Sequence, residues 1–281
     1  MNYKLGDKIL YLDKVSLGYP DTNHPDGYNV ILKDVSLIER NVVRDNIEHT
    51  GQTIAFVGRS GRGKSTLFKA LTGLVKPIDG KVLITDLATD DTEDAKDVTE
   101  GDVGYVDQKY TLFRHKTMYQ IFMYALRKKT YLSKEEKNNI IINHLTEWGL
   151  LEHKDKYSCE LSGGQRQRTA IVEQLLSSKC FMVLDEPFSG LDVGNIEKAK
   201  STFNKVLSAN ELNTIIFSTH DVSLAVELAD SIYVIGRPQG VDDYSTIVKH
   251  YDLKENGLAW TEFGEGHLRL VNEIKQILMN S

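Results

Sequence analysis

A run of nine residues in the first quarter of the chain has the types and spacing that bind phosphate groups. Gly58-Arg-Ser-Gly-Arg-Gly-Lys-Ser-Thr66 follows the apolar stretch Ile54 to Val57, and helical spacing begins at Lys64. Its three glycines let the backbone curl so that N–H groups point at anionic oxygens near a helix N-terminus. The predicted phosphate contacts are Gly58, Ser60, Gly61, Arg62, Gly63, Lys64, Ser65 and Thr66. A simple glycine turn is the alternative, and the fixed spacing between a strand and a helix argues against it.

Three side chains of this run bring specific chemistry to a bound phosphate chain. The Lys64 ammonium adds a positive charge for the terminal phosphates. The Ser65 hydroxyl is of the type that binds a magnesium ion bridging two phosphates. Thr66 continues the helix and can contact a phosphate oxygen. The run therefore predicts a site for a phosphate chain and its magnesium ion.

Two carboxylates follow a second apolar stretch. Phe181-Met-Val-Leu184 leads directly into Asp185 and Glu186, and α/β sheets bind ligands at the carboxyl ends of their strands. We predict that Asp185 holds the magnesium shell, and that Glu186 orients and deprotonates an attacking water. Without the phosphate-binding run, the pair would also fit a loop cap.

The pentapeptide Leu161-Ser-Gly-Gly-Gln165 lies at a predicted helix start before Asp185, and together with the two motifs above it resembles the ABC (ATP-binding cassette) ATPase family. The resemblance runs from Tyr19 to about Gly236. It implies a nucleotide-binding core, an antiparallel subdomain and a helical subdomain, with two subunits holding two ATP molecules head to tail. It also implies that three residues contact the γ-phosphate of the ATP held by the other subunit, namely Ser162, Gly164 and Gln165. A polar helix cap is the alternative.

Further positions match the family one at a time. Gln108 corresponds to the glutamine that senses magnesium and the attacking water and faces the membrane partner. His220, in Ser218-Thr-His-Asp221, corresponds to the histidine that reaches the γ-phosphate and holds the general base and the water in line. Alone, Gln108 would be interpreted as a surface glutamine and His220 as a structural histidine. The resemblance thus implies catalytic roles for Glu186, His220, Gln108 and Lys64, and magnesium ligation by Ser65, Gln108 and Asp185.

Two other matches concern the second site and the base. Ser189-Gly-Leu-Asp192 resembles the loop that communicates between the two sites, with Asp192 as its carboxylate. Tyr19 matches the aromatic residue that stacks on the adenine ring. Because the segment after Tyr19 is longer than in many relatives, Tyr11 and Tyr28 compete for this role.

Short apolar runs alternate with helical spacing along the chain. The runs that end at Val57, Leu184, Phe217 and Ile235 are typical of buried parallel strands. Their alternation with helices predicts a sheet covered on both faces. The first 50 residues contain strand-like segments with no helix between them, and these predict a smaller antiparallel sheet.

Helical patterns dominate from about Tyr119 to Leu176, with a capping-box signal at Ser133 and Glu136. The predicted fold class is α/β, with a phosphate-loop nucleotide-binding core around a parallel sheet, an N-terminal antiparallel β subdomain and an inserted helical subdomain. With the resemblance, we expect a single ABC ATP-binding domain over residues 1–281. Its approximate parts are 1–107 and 181–281 for the antiparallel sheet and core, and 108–180 for the helical subdomain.

Composition excludes several classes of function. The chain has 281 residues, a net charge of -6 and a pI near 5.8, which argues against broad nonspecific binding to nucleic acid or anionic lipid. No stretch reaches the ~20 apolar residues of a membrane-spanning helix, and the start lacks the apolar block of a secretion signal, so we expect a cytoplasmic protein. Cys159 and Cys180 are expected to be reduced thiols. The stretch from Asp86 to Asp102 has eight acidic residues and one lysine and predicts a solvated loop.

The resemblance implies the ATP-binding subunit of an ABC transporter, which uses ATP and magnesium and drives solute transport through a separate membrane protein. Residues 110–119 resemble importer subunits, although Arg114 replaces the proline usual there, and residues 161–192 resemble the nitrate, sulfonate and taurine group. The implied partners are a second ATP-binding subunit, either another copy of this chain or a different one, an integral membrane subunit and a solute-binding protein, with no nucleic acid, at the inner face of the cell membrane. The alternatives are a soluble ABC ATPase that acts as a mechanical switch on a macromolecular partner, and a non-catalytic module that binds ATP as a clamp.

Overall fold

The computed structural model describes residues 3–25, 27–44, 51–85, 95–177, 180–210 and 212–281. In these ranges the strands are β1 (Tyr3–Pro20), β2 (Tyr28–Arg44), β3 (Gln52–Gly58), β4 (Asp79–Ile84), β5 (Lys96–Asp97), β6 (Gly104–Val106), β7 (Phe181–Leu184), β8 (Thr214–Thr219), β9 (Ser231–Gly236) and β10 (Thr246–Asp252). The α-helices are α1 (Lys64–Leu71), α2 (Met118–Ala125), α3 (Lys134–Glu147), α4 (Gly163–Ser177), α5 (Val193–Ala209), α6 (Val222–Leu228) and α7 (Glu265–Asn280).

The larger sheet has the strand order β10-β9-β3-β8-β7-β6. Its strands from β9 to β6 run parallel, and β10 is antiparallel to β9. Strands β3, β7, β8 and β9 are buried along their whole length, as expected where both faces of a parallel sheet are covered. Because parallel strands end at the same edge, Gly58, Asp185 and His220 all lie at or just beyond the carboxyl ends of neighbouring strands.

A second, antiparallel sheet has the strand order β2-β1-β4-β5. Its buried side chains, those of α1 and those on one face of the larger sheet form one apolar cluster, in which Leu12, Leu32 and Phe68 are fully buried. The rings of Phe56 and Phe68 meet edge to face with centroids 5.6 Å apart. This packing holds α1, the helix that follows the phosphate-binding loop, between the two sheets.

Buried charges also join the two sheets. Arg44 of β2 lies 3.5 Å from the carboxylate of Asp230, which accepts a 2.9 Å hydrogen bond from the N–H of Thr53. Glu39 of β2 accepts a 2.7 Å hydrogen bond from the hydroxyl of Tyr233. Burial raises the pKa of both carboxyl groups. Removal of one partner would leave a buried polar group unpaired, so these contacts fix the position of the small sheet.

The segment between β6 and β7 is helical and contains α2, α3 and α4. Its apolar residues form a second cluster with the other face of the larger sheet, including Ile121, Leu145 and Ile171. Ser133 and Glu136 form the predicted capping box, in which each side chain accepts a hydrogen bond from the backbone N–H of the other. The α/β fold class is confirmed, with the antiparallel sheet at the N-terminal side and the helices inserted into the parallel sheet.

Two regions differ from the expectations. Part of the predicted acidic loop lies outside the described residues, and the rest contains the short strand β5 and a turn in which Asp102 pairs with Lys96 at 2.6 Å. The chain after Gly236, for which no element was predicted, forms β10 and α7. Cys159 is an exposed free thiol, as expected. Within the described ranges, no helix is both long and apolar enough to cross a membrane.

Candidate nucleotide-binding site

The loop between β3 and α1 has a backbone that only glycine suits at several positions. Gly61 and Gly63 have φ angles of 79° and 92°, in the left-handed region that L side chains rarely adopt. A Cβ at Gly63 would lie 2.8 Å from Cγ2 of Ile31, and one at Gly58 would lie 2.7 Å from the carbonyl oxygen of Ile235. The loop therefore wraps tightly against β2 and β9 and leaves its N–H groups to form the cradle.

Lys64 is buried and its ammonium lies across this loop. Its Nζ donates hydrogen bonds to the carbonyl oxygens of Gly58 at 2.7 Å and Arg59 at 3.4 Å. It also lies 3.4 Å from Oε1 of Glu186. A positive charge is thus held between the phosphate-binding loop and the acidic pair.

A cavity of about 630 Å³ opens in front of the loop. This volume is within the range of pockets that take a small-molecule ligand. Its walls are Ile31, Ser60, Gly61, Arg62, Gly63, Lys64, Ser65, Thr66, Gln108, Asp185, Glu186, Ser189 and His220. Sequence-predicted residues from four separate segments of the chain therefore meet in one cavity.

The acidic pair is held by backbone and hydroxyl groups. The N–H of Asp185 donates to the carbonyl oxygen of Val106 at 2.9 Å. The Ser218 hydroxyl donates to Oδ1 of Asp185 at 2.6 Å and accepts from the N–H of Glu186 at 2.9 Å. Ser218 is fully buried and was given no role from the sequence. It joins the Asp185 carboxylate to the backbone of Glu186.

Glu186 lies between two cationic or polar partners. Its Oε1 faces Lys64, and its Oε2 is 2.8 Å from Nδ1 of His220. The Glu186 backbone has a φ of 50°, a conformation that is uncommon for a side chain of this size. Such backbone strain concentrates at functional sites, and here it turns the carboxylate into the cavity.

Three oxygen-bearing side chains of the predicted magnesium shell line the same cavity: Ser65, Gln108 and Asp185. The Gln108 amide donates from Nε2 to the Ser189 hydroxyl at 3.3 Å. Hydroxyl, amide carbonyl and carboxylate oxygens are hard ligands of the type that magnesium prefers, together with phosphate oxygens. The residues present therefore fit that ion.

Two tyrosines that the sequence did not single out support the acidic pair. Burial, then the nearby charge of Asp185, raises the pKa of the Tyr105 hydroxyl. Tyr110, whose pKa burial raises to about 12, donates to the carbonyl oxygen of Pro187 at 3.0 Å. Gln167 of α4 donates to the same oxygen at 2.9 Å. The segment after Glu186 is thus held from both sides, and only the fold brings these donors to it.

The predicted adenine contact lies outside the cavity wall. Tyr19 is exposed near the end of β1, where it pairs in register with Asn29. Neither Tyr19 nor the competing Tyr11 and Tyr28 lines the cavity, whereas Ile31 does. The role of Tyr19 stays a prediction, and Ile31 is an apolar wall residue that carried no signal in the sequence.

The pentapeptide forms the start of α4, away from this cavity. Ser162 and Gln165 make a reciprocal cap: the N–H of Gln165 donates to the Ser162 hydroxyl at 3.3 Å, and the N–H of Ser162 donates to the Gln165 side chain at 2.9 Å. A Cβ at Gly163 would meet no atom within 4 Å, and one at Gly164 would meet only Arg168 at 4.0 Å. The helix start is therefore capped and open in front.

Asp192 also lies at a helix start and does not line the cavity. Its side chain accepts hydrogen bonds at 2.9 Å from both the backbone and the side-chain amide of Asn195 at the start of α5. Ser189, three residues earlier, lines the cavity and bonds to Gln108. The segment from Ser189 to Asp192 thus connects the cavity to α5.

Comparison with known proteins identifies the family to which the chain is similar. The family model described as ABC transporter matches residues 46–189. The sulfate/thiosulfate import ATP-binding protein CysA 1 of Agrobacterium fabrum is 32% identical over 239 residues, which are 83% of this chain and 64% of that protein. CysA of Thermosynechococcus vestitus is 34% identical over 203 residues, 72% of this chain and 58% of that protein. This chain spans less than two thirds of the length of both relatives.

Solved structures share the fold. The structure of cbiO1 from Clostridium perfringens, described as part of the ABC transporter complex cbiONQ, matches with a TM-score of 0.69 and 24% identity over 96% of this chain and 99% of that one. Another, described as the ATP binding subunit of an ABC transporter, matches with a TM-score of 0.67 and 22% identity over the same shares. The family match covers the phosphate-binding loop, the pentapeptide and the acidic pair. The chain belongs to the ABC transporter family, among its ATP-binding proteins.

Proposed function

We propose that this chain binds ATP with magnesium in the cavity and hydrolyses the terminal phosphate to drive a transporter. Residues 1–281 would act as one ABC ATP-binding domain, with core parts at 1–107 and 181–281 and a helical part at 108–180. The observation that carries the proposal is the position of the Glu186 carboxylate, which lies between Lys64 and His220 in the same cavity as the phosphate-binding loop.

ATP fits the cavity through its phosphates. The curled loop offers N–H groups at the N-terminus of α1, where the helix dipole favours negative charge. Lys64 adds a full positive charge next to the loop. Ile31 supplies an apolar wall, and Tyr19, near the edge of the small sheet, is proposed to stack on the base.

Hydrolysis needs a base, an orienting group and charge neutralisation. Glu186 is the proposed base for the attacking water, and the 2.8 Å contact with His220 holds its carboxylate in place. Gln108 is proposed to position the water, and Lys64 to stabilise the γ-phosphate. A magnesium ion held by Ser65, Gln108 and Asp185 would neutralise charge that develops on the phosphate oxygens.

The active assembly is proposed to be a head-to-tail dimer. The start of α4 is capped by its own side chains and open in front. Its N–H groups can therefore donate hydrogen bonds to a phosphate from outside the chain, and its partial positive charge favours that anion. Ser162, Gly164 and Gln165 would contact the γ-phosphate held by the other subunit. Asp192, connected to the cavity through Ser189, would carry the state of one site to the other.

A membrane protein is the proposed recipient of this motion. The two CysA relatives are named as import ATP-binding proteins, and cbiO1 as part of a transporter complex. By analogy, this chain would lie at the inner face of the cell membrane as a peripheral subunit of an importer, next to an integral membrane subunit and a solute-binding protein. Nucleic acid is not among the proposed partners.

The decisive experiment compares the wild type with Glu186→Gln, which keeps the shape of the side chain and removes the base. We expect magnesium-dependent ATP hydrolysis by the wild type and a loss of roughly 100- to 10,000-fold in the variant. ATP should still bind the variant and trap it as a dimer in size-exclusion chromatography. Unchanged turnover in the variant would rule out Glu186 as the base.

A second experiment separates the transporter from a soluble mechanical switch. The tagged chain would be purified from its own cells in mild detergent with ATP. We expect an integral membrane protein to copurify with the chain in stoichiometric amount. When the membrane is not extracted with detergent, this protein should be absent from the purified sample. Copurification with ribosomes or DNA instead would favour the switch.

A further inference from the structure

Helix α7 ends beside the phosphate-binding loop. The Arg62 guanidinium donates from Nη2 to the main-chain oxygen of Ser281 at 3.0 Å. Ser281 is the C-cap residue of α7, and Arg62 is part of the cavity wall. Helix α7, which contains none of the predicted nucleotide-binding motifs, is therefore hydrogen-bonded directly to the phosphate-binding loop.

Gly236 at the end of β9 provides the space for this contact. A Cβ at this position would lie 2.5 Å from Oγ and 2.6 Å from Cβ of Ser281. The same strand end is tied to the loop, because Ile235 pairs in register with Gly58. The end of α7 is thus packed on β9 without spare room, and any added atom at Gly236 must displace it.

The charges around Arg62 favour an acceptor at this place. Burial, then the nearby charges of Arg237 and Arg59, lowers the pKa of the Arg62 guanidinium. Its Nε is buried and has no hydrogen-bond partner among the described residues. The carboxyl end of a helix carries a partial negative charge that stabilises a cation in its last turn. The end of α7 therefore adds to Asp242 in compensating a cation that burial and the neighbouring arginines disfavour.

The position of Arg62 in the loop gives this contact a consequence. Arg62 lies between Gly61 and Gly63, and glycines lose more backbone freedom than other residues when a loop becomes ordered. A side chain anchored between them restricts the loop before any ligand binds. Such preorganisation raises affinity because less freedom remains to be lost on binding.

We propose that Arg62 is a positioning residue through which helix α7 sets the nucleotide affinity of the phosphate-binding loop. The inference rests on the proposed function of this cavity and adds a control element outside the nucleotide motifs. The main-chain oxygen of Ser281 binds the Arg62 guanidinium, and this contact restricts the backbone of the phosphate-binding loop. Displacement of α7 therefore lowers the affinity of the loop for the phosphates. The steps of hydrolysis that follow ATP binding involve the other residues of the cavity and not this contact.

The test is a double-mutant cycle on ATP affinity with Arg62→Ala and Gly236→Ala. Because hydrogen bonds to charged groups are the strong ones, each variant should bind ATP roughly 10-fold more weakly. In Gly236→Ala, which changes no residue of the cavity wall, the KM for ATP should rise by a similar factor, with kcat at saturating ATP unchanged. Since both changes act through one contact, the double variant should bind no more weakly than Arg62→Ala alone.

Two further variants make the result interpretable. Gly264→Ala adds a methyl group at the other end of α7, where the nearest atom would be 3.8 Å away, and should bind ATP like the wild type. Leu278→Ala removes packing near the end of α7 without adding atoms and replaces Gly236→Ala if that variant does not fold. Normal affinity in both Gly236→Ala and Leu278→Ala, or additive losses in the double variant, would overturn the proposal. Failure of the wild type to bind ATP would instead reject the proposed function.

Discussion

The buried hydroxyl of Ser218 donates a 2.6 Å hydrogen bond to the carboxylate of Asp185. Ser218 belongs to β8 and Asp185 follows β7, so the bond joins two neighbouring strands at their carboxyl ends. The same hydroxyl accepts the N–H of Glu186. One serine thus holds both the carboxylate of the proposed metal ligand and the backbone of the proposed base.

Ser218→Ala should therefore impair both stability and turnover. The change leaves a buried carboxylate oxygen and a backbone N–H without their partner, and we expect the free energy of unfolding to fall by about 1 to 3 kcal/mol. ATP hydrolysis should fall more than ATP affinity, because the phosphate-binding loop is untouched. Ser177→Ala, which removes an exposed hydroxyl at the end of α4, is the control. Urea unfolding and steady-state kinetics would measure both effects; equal behaviour of the two variants would contradict the role given to Ser218.

Gly63→Ala should damage the loop more than Gly61→Ala. Both glycines have a positive φ, so both substitutions carry a backbone cost of about 1 to 2 kcal/mol. At Gly63 the methyl group would also lie 2.8 Å from Ile31, whereas at Gly61 no atom lies within 4 Å. Thermal unfolding with and without ATP would show a larger loss of stability and of ATP-induced stabilisation for Gly63→Ala. Equal losses would mean that contact with β2 does not shape the cradle.

Glu173 should make stability depend on pH. Burial raises its pKa to about 7, with Arg127 opposing the shift, so the folded protein holds this proton more tightly than the unfolded chain. The stabilisation is complete at acidic pH and is lost as the pH rises from about 4.5 to 7. Glu173→Gln should therefore be more stable than the wild type at pH 8, by about 2 to 3 kcal/mol, and no more stable at pH 4.5.

The control for this measurement is Glu262→Gln, which changes an exposed carboxylate. Unfolding temperatures of the three proteins would be compared from pH 4.5 to pH 8. A wild-type curve parallel to that of Glu173→Gln would show that Glu173 titrates normally in the folded protein.

The adenine contact can be decided among three tyrosines. Tyr19→Ala should weaken ATP binding by roughly 2- to 10-fold, the usual worth of a stacking contact. Tyr28, paired with Pro20 at the end of the same hairpin, should matter less, and Tyr11, which pairs with Ile38 further along β1, should not matter. Fluorescence titration with ATP would rank the variants. A larger loss for Tyr28→Ala would transfer the role to that residue.

Much of the fold was predictable because its signals are local. The run of apolar residues before Asp185 was predicted with the bounds that the structure has. The glycine spacing of the phosphate-binding loop and the adjacent carboxylates likewise carry their chemistry in consecutive residues. The structure brings the predicted residue Glu186 within ion-pairing distance of Lys64 and within hydrogen-bonding distance of His220.

The remainder depends on register and on distant packing. Ser218, Tyr105 and Ile31 are common residue types whose importance arises only because neighbouring strands place them beside the acidic pair or the loop. Helix α7 was missed although His267, Leu270, Val271 and Ile274 have the spacing of a buried helical face. Its contact with Arg62 joins residues 219 positions apart, a separation for which no local pattern exists.

Because the backbone at position 186 is left-handed, the residue that would be most stable there differs from the residue proposed to be needed for hydrolysis. Glycine would adopt a φ of 50° without the cost of about 1 to 3 kcal/mol that a larger residue bears there. A directed-evolution experiment that selects only for heat resistance would thus favour the loss of this carboxylate. Thermostable variants of the protein must be screened for turnover in parallel, since backbone strain can be relieved at the residue proposed as the catalytic base.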